Sequence, residues 1–88
     1  MNIIDEIKNI ILERDEIKAN DLFDEYHPVD ISLELEEYED DELEVFVKLL
    51  NKENLGLLLE SSEEDLAVDI MKFFTNEELI EAFAFIEN

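Results

Sequence analysis

Eighty-eight residues make one domain, and 27 acidic against 6 basic side chains leave a formal charge of −21. Such a surface repels phosphate, which excludes ordinary nucleic-acid binding and disfavours an anionic bilayer, leaving cations, metal ions and basic protein surfaces as partners. A hydrophobic share of 47% is too high for a disordered acidic tail, and the absence of cysteine excludes disulfides, thiolate metal sites and cysteine nucleophiles.

One glycine (Gly56) and one proline (Pro28) are too few for a sheet protein, and apolar spacings of three and four predict helices throughout. Ile4, Ile7 and Ile11, with Ile3 and Ile10 beside them, form the first helical face, and Asn2 is its predicted cap. Asp5, Glu6 and Lys8 interrupt this opening segment, and it lacks a basic signal-peptide region. No apolar run nears the roughly 20 residues of a membrane span, so the expectation is a soluble, cytoplasmic chain. The polar stretch Asp15 to Asn20 reads as a loop. Ile17, Leu22, Phe23 and Tyr26 form a second stripe. His27-Pro28 marks a helix start, since proline at a first helical position gives up an amide that had no partner anyway. Ile31, Leu35 and Tyr38 form the third stripe, Leu43, Phe46, Val47 and Leu50 the fourth, and Leu55, Leu58 and Leu59 the fifth. Ser61-Ser62-Glu63-Glu64 and Thr75-Asn76-Glu77-Glu78 both carry the S/T-x-x-E capping pattern. Leu66, Ile70, Phe73 and Phe74 then form the sixth stripe, and Leu79, Phe83 and Ile86 the seventh.

A shift of 24 residues superposes His27, Asn51 and Thr75, then Ile31, Leu55 and Leu79, then Leu35, Leu59 and Phe83. Phe46 meets Ile70, Leu49 meets Phe73, and Leu50 meets Phe74. Acidic residues recur in step at Glu39, Glu63 and Glu87. Units 27–50 and 51–74 are each a helix, a turn and a second helix, and a half unit follows, either a capping helix or part of a longer parent. The predicted fold is a single all-α domain over residues 1–88, a solenoid-like superhelix of short stacked helices, because one pair cannot bury its own apolar face.

The stretch from Tyr26 to Glu78 resembles the cytosolic N-terminal domain of MgtE-type magnesium transporters. The resemblance rests on an HP-x-D-[IL] start (His27, Pro28, Asp30, Ile31), an acidic helix after it, and an LL-(P/N) junction at Leu49, Leu50 and Asn51. It implies a right-handed superhelix on the cytosolic face, preceding a pair of CBS domains and a membrane pore. The implied partners are those CBS domains and divalent cations, with Mg²⁺ as a weakly bound regulatory ion and no required cofactor. Two acidic surfaces repel until cations screen or bridge them. The surrounding repeat is also similar to flagellar motor-switch helical domains. Asn51 departs from the commoner proline, and none of the family's metal ligands is matched residue by residue, so no metal ligand is assigned.

Grouped carboxylates at Glu36, Glu37, Glu39, Asp40, Asp41 and Glu42 suit either weak Mg²⁺ or Ca²⁺ binding or a solvated turn with Asp40 or Asp41 as N-cap. The missing EF-hand spacing and glycine favour the turn. Glu63, Glu64 and Asp65 read as a first helical turn, where the dipole favours anions. His27, the single histidine, reads as part of a helix start rather than a base, and Gly56 as a point of close helix packing. Phe46, Phe73, Phe74, Phe83 and Phe85 read as core, with Phe74 or Phe85 a possible contact for a neighbour. No phosphate loop, HExxH or GxSxG motif occurs, so neither a catalytic residue nor an enzyme is expected. The alternative to a transporter domain is a helical scaffold that binds a partner protein. An acidic nucleic-acid mimic is a third reading, disfavoured by the apolar stripes.

Overall fold

The computed structural model describes residues 2–86, and all regular structure among them is helical. Seven short helices follow one another: α1 (Ile3–Glu13), α2 (Glu16–Glu25), α3 (Pro28–Leu35), α4 (Asp40–Lys48), α5 (Lys52–Ser61), α6 (Glu64–Met71) and α7 (Asn76–Ile86). Helices this short are marginal in isolation and persist through their shared core.

Several starts are where cap chemistry puts them. The Asn2 side chain accepts the Asp5 amide at 3.0 Å. His27 Nδ1 accepts the Val29 amide at 3.2 Å, with Pro28 opening α3. Asn51 Oδ1 accepts the Asn54 amide at 2.8 Å. At Thr75 the capping box closes in both directions: Thr75 Oγ1 accepts from the Glu78 amide at 3.2 Å, and Glu78 Oε1 accepts from the Thr75 amide at 2.9 Å.

Other expectations are corrected. Residues 15–20 are not a loop. Arg14 ends α1 in the left-handed region (φ 52°), and Asp15 at once caps α2 by accepting the Lys18 amide at 3.1 Å. Ile17 leaves the second stripe, standing 74% exposed, and Ala19 is buried in its place beside the expected Leu22. In α1 the buried face runs through Ile7 and Ile10, and Ile4 is exposed. The cap position of α4 is Glu39 rather than Asp40 or Asp41, which already lie inside the helix. Ser61 does not open α6. It is the last residue of α5, where its backbone is still helical, and Ser62 turns its hydroxyl back onto the Leu58 carbonyl at 2.6 Å.

α1 packs against α2, α3 and α4, α3 against α5, α5 against α7, and α4 against α6. Ile7, Leu22, Ile31, Leu35, Leu43, Phe46, Val47, Leu55, Leu58 and Ile70 are buried at the centre. The radius of gyration is 11.8 Å, against about 12 Å expected for one compact domain of this length. Extents of 33 × 24 × 21 Å make a moderately elongated globule. The α5–α7 contact is the most extensive. A Cβ placed on Gly56 would lie 2.5 Å from the Ala82 carbonyl oxygen, so the glycine lets the two backbones meet. Helix starts fall at 28, 52 and 76 for α3, α5 and α7, and at 40 and 64 for α4 and α6. Glu87, the last acidic position in the 24-residue shift, lies outside the described residues.

Candidate functional site

The turn between α3 and α4 faces the first half of α6, and a cleft of about 250 Å³ opens between them. Its floor is Leu35, Leu43 and Leu66, each supplied by the buried stripe of its own helix. Glu36 and Tyr38 come from one side, and Glu63, Asp65 and Asp69 from the other. Asp69 is half held, since Lys72 Nζ lies 3.0 Å from its Oδ1. That hydrogen bond and the Asp69 charge raise the Lys72 ammonium above its usual value.

Tyr38 is the unusual member. Its hydroxyl oxygen is buried, and no partner meets it with hydrogen-bonding geometry, although Glu34 comes near enough to act on its titration. Burial first, then the charges of Glu34 and Glu42, push the phenol up to about 12. The phenol therefore stays neutral across the physiological range. The cleft offers carboxylate oxygens, which suit cationic or hydrogen-bond-donating groups.

The structure thus joins Glu36 from the first acidic cluster to Glu63 and Asp65 from the second. It separates the rest. Glu42 faces a hollow shared with Lys8, Ile11, Leu12 and Tyr38, and Glu37 lies by Ile3, Tyr26, Asp30 and Leu33. Within the first turn of α4, the Glu39 amide donates to Glu42 Oε1 at 3.3 Å and the Glu42 amide to Asp41 Oδ1 at 3.0 Å. These carboxylates serve the helix end. Among the described residues, no group of three or more His, Asp or Glu side chains is placed to hold a metal ion. His27 works as a cap.

Sequence reasoning missed Asp69 and Tyr38. Asp69 had a signal, for it stands four residues after Asp65 on one helix and so shares its face. A second acidic groove, about 480 Å³ between α1 and α2, was missed outright. Glu6, Glu13, Asp21 and Glu25 line it above Ile10 and Leu22. The Glu6 charge raises Glu25, and burial and Asp21 add to the effect. Tyr26 Oη donates to Glu6 Oε2 at 2.5 Å, which holds that phenol up at about 12.

Asn20 forms a polar buckle that also went unseen. Its Nδ2 donates to the Leu49 carbonyl at 3.0 Å, and its Oδ1 accepts from the Asn51 amide and from Asn54 Nδ2, both at 2.9 Å. This ties α2 to the start of α5. It also accounts for Asn51, since proline there would have neither the amide that Asn20 accepts nor the side chain that caps α5. The aromatic set divides: Phe46 is fully buried, Phe73 and Phe74 are partly buried, and Phe83 and Phe85 are exposed. Lys48 Nζ stands 4.4 Å from the centre of the Phe74 ring. Comparison of the chain with protein-family models, with curated proteins and with solved structures finds no match.

Proposed function

We propose that this chain is a non-enzymatic, cytoplasmic docking domain of the kind its HPVDI segment resembles, the N-terminal regulatory domain of an MgtE-type magnesium transporter. In this reading its helices stack as a superhelix of 24-residue units, and divalent cations gate its closure against an acidic partner such as a pair of CBS domains. The helix starts at 28, 52 and 76 and at 40 and 64 support the stacking. The observation that carries the function is the cleft in which Glu36 meets Glu63, Asp65 and Asp69. Carboxylates from separate parts of the chain are gathered on one side with little positive charge to offset them. Any acidic domain closing on that side needs cations between the surfaces. The effect is collective, so Mg²⁺ acts as a weakly bound bridging ion rather than the occupant of a fixed cage.

Thermal unfolding in MgCl₂ tests this. A cation that binds only the folded chain stabilises it by about 1.4 kcal/mol at ten times its Kd, a shift of several degrees for a domain of this size. Millimolar Mg²⁺ is expected to raise the midpoint beyond potassium chloride of equal ionic strength. The difference should grow when the acidic partner domain is present, and equal effects of the two salts on the paired domains would rule out the gating. A scaffold that binds a partner protein is the second reading, favoured by the exposed Ile80, Phe83 and Phe85 of α7.

A further inference from the structure

We infer that the outer face of α7 is a docking surface for one basic amphipathic helix of a partner protein. Ile80 is 68% exposed, and Phe83 and Ala84 are exposed beside it at helical spacing. Together they make an apolar strip on the side away from Ala82, which is buried against Gly56 of α5. Glu77 and Glu81, both exposed, border the strip.

The neighbouring helices indicate what kind of element fits there. Ser32 of α3 is buried and its hydroxyl lies 3.4 Å from the Ser61 carbonyl of α5, the next helix in that row. Gly56 of α5 is buried against α7. Ile80 stands a further 24 residues on, and among the described residues no helix covers it. The position that receives the next helix in α3 and again in α5 is thus an exposed isoleucine in α7. A helix completes the row, read through anchors at i, i+3, i+4 and i+7.

Charge selects the partner. The strip is bordered by glutamates on a chain of net charge −21. A second copy would bring Glu77 and Glu81 against their own counterparts, with two strongly anionic bodies behind them. A helix whose apolar stripe is flanked by lysine or arginine meets the strip and its border together, and long-range attraction speeds its arrival. This inference rests on the stacked-helix reading above and is independent of magnesium gating.

The test uses the whole chain and a synthetic amphipathic Leu/Lys helix as probe, with a scrambled peptide of the same composition as control. Backbone amide NMR shifts and fluorescence anisotropy report the footprint and the affinity. The ordered peptide is expected to shift amides along α7 and to bind at least tenfold more tightly than the scramble. Ile80→Ser, at a site too exposed to affect folding, is expected to weaken it several-fold, and Ile80→Ser with Phe83→Ser at least tenfold. Leu12→Ser with Ile17→Ser, on the exposed corner between α1 and α2, is expected to leave binding unchanged. Equal binding of the scramble, a footprint away from α7, insensitivity to Ile80→Ser, or self-association that Ile80→Ser abolishes would each overturn the inference. Failure of the stacked-helix reading is separate: it would show in the free chain, as missing nuclear Overhauser contacts between α3 and α5.

Discussion

At the scale of single residues, Gly56 has the clearest structural task. A methyl group there would stand 2.5 Å from the Ala82 carbonyl oxygen and 3.3 Å from its carbon, and backbone atoms cannot swing aside. Gly56→Ala gains roughly 1 kcal/mol of helix propensity and, against backbone that cannot yield, loses about 3 kcal/mol to overpacking, so the net loss is about 2 kcal/mol. Urea unfolding should read that loss. An unchanged or raised midpoint would mean that α5 and α7 lie farther apart than described. The packing role of this glycine was legible, because a lone glycine inside an apolar stripe has few other uses. Its partner was not, because Ala82 is 26 residues away and only the helix crossing brings the two together. Tyr38 and Asn20 were hidden for the same reason. The one is remarkable only for a buried hydroxyl without a partner, and the other looks like a polar residue in a polar segment until Leu49, Asn51 and Asn54 close around it.

Among the helices, identical lettering had different outcomes, and the cause is where each pattern falls. Thr75-x-x-Glu78 sits after a turn and ahead of α7, so Thr75 Oγ1 is free to accept the Glu78 amide. Ser61-x-x-Glu64 begins inside the last turn of α5, so Ser61 has no such freedom. Thr75→Ala should therefore cost about 1 kcal/mol, whereas Ser61→Ala should stay within about 0.5 kcal/mol of the parent. Thermal unfolding of the two variants side by side checks this, and equal losses would refute the assignment of α6's start. The same reasoning explains how much of the architecture could be read in advance. Stripes three to six hold almost residue for residue, because each is a continuous apolar face at helical spacing. The α1–α2 connection was misread because a non-glycine residue, Arg14, takes the left-handed conformation that stops the helix, and arginine carries no sequence signal for it. The acidic cleft was half legible. Its carboxylates stand out as runs, but which runs face each other is settled by α4 packing on α6.

For the molecule as a whole, the dominant fact is repulsion, and its sign can be followed with pH. Glu25 is held above the ordinary carboxyl value of 4.5, first by the charge of Glu6 and then by burial and Asp21. A raised carboxyl binds its proton more tightly in the folded chain than in the unfolded one. Stability therefore falls as pH rises through its range and returns on acidification. Glu78 works in the opposite sense, since the Thr75 amide lowers it. Its contribution is present above the unfolded value and is lost as pH drops through the folded one. A charge of −21 places the rest of the surface on the side of Glu25, because compaction brings like charges closer. At low ionic strength the thermal midpoint should rise by several degrees between about pH 7.5 and pH 5, then fall again below about pH 4 as capping carboxylates such as Glu78 are neutralised. Salt should flatten the upper limb, because the screening length shrinks from about 30 Å at 0.01 M to about 3 Å at 1 M. It should leave the lower limb largely in place, since a cap is a short hydrogen bond rather than a long-range field. Calorimetry across this grid of pH and sodium chloride decides the matter. A midpoint that stays level or drops from pH 7.5 to 5 at low salt would show that the acidic faces lie too far apart to oppose folding, and would remove the repulsion on which cation-gated closure depends.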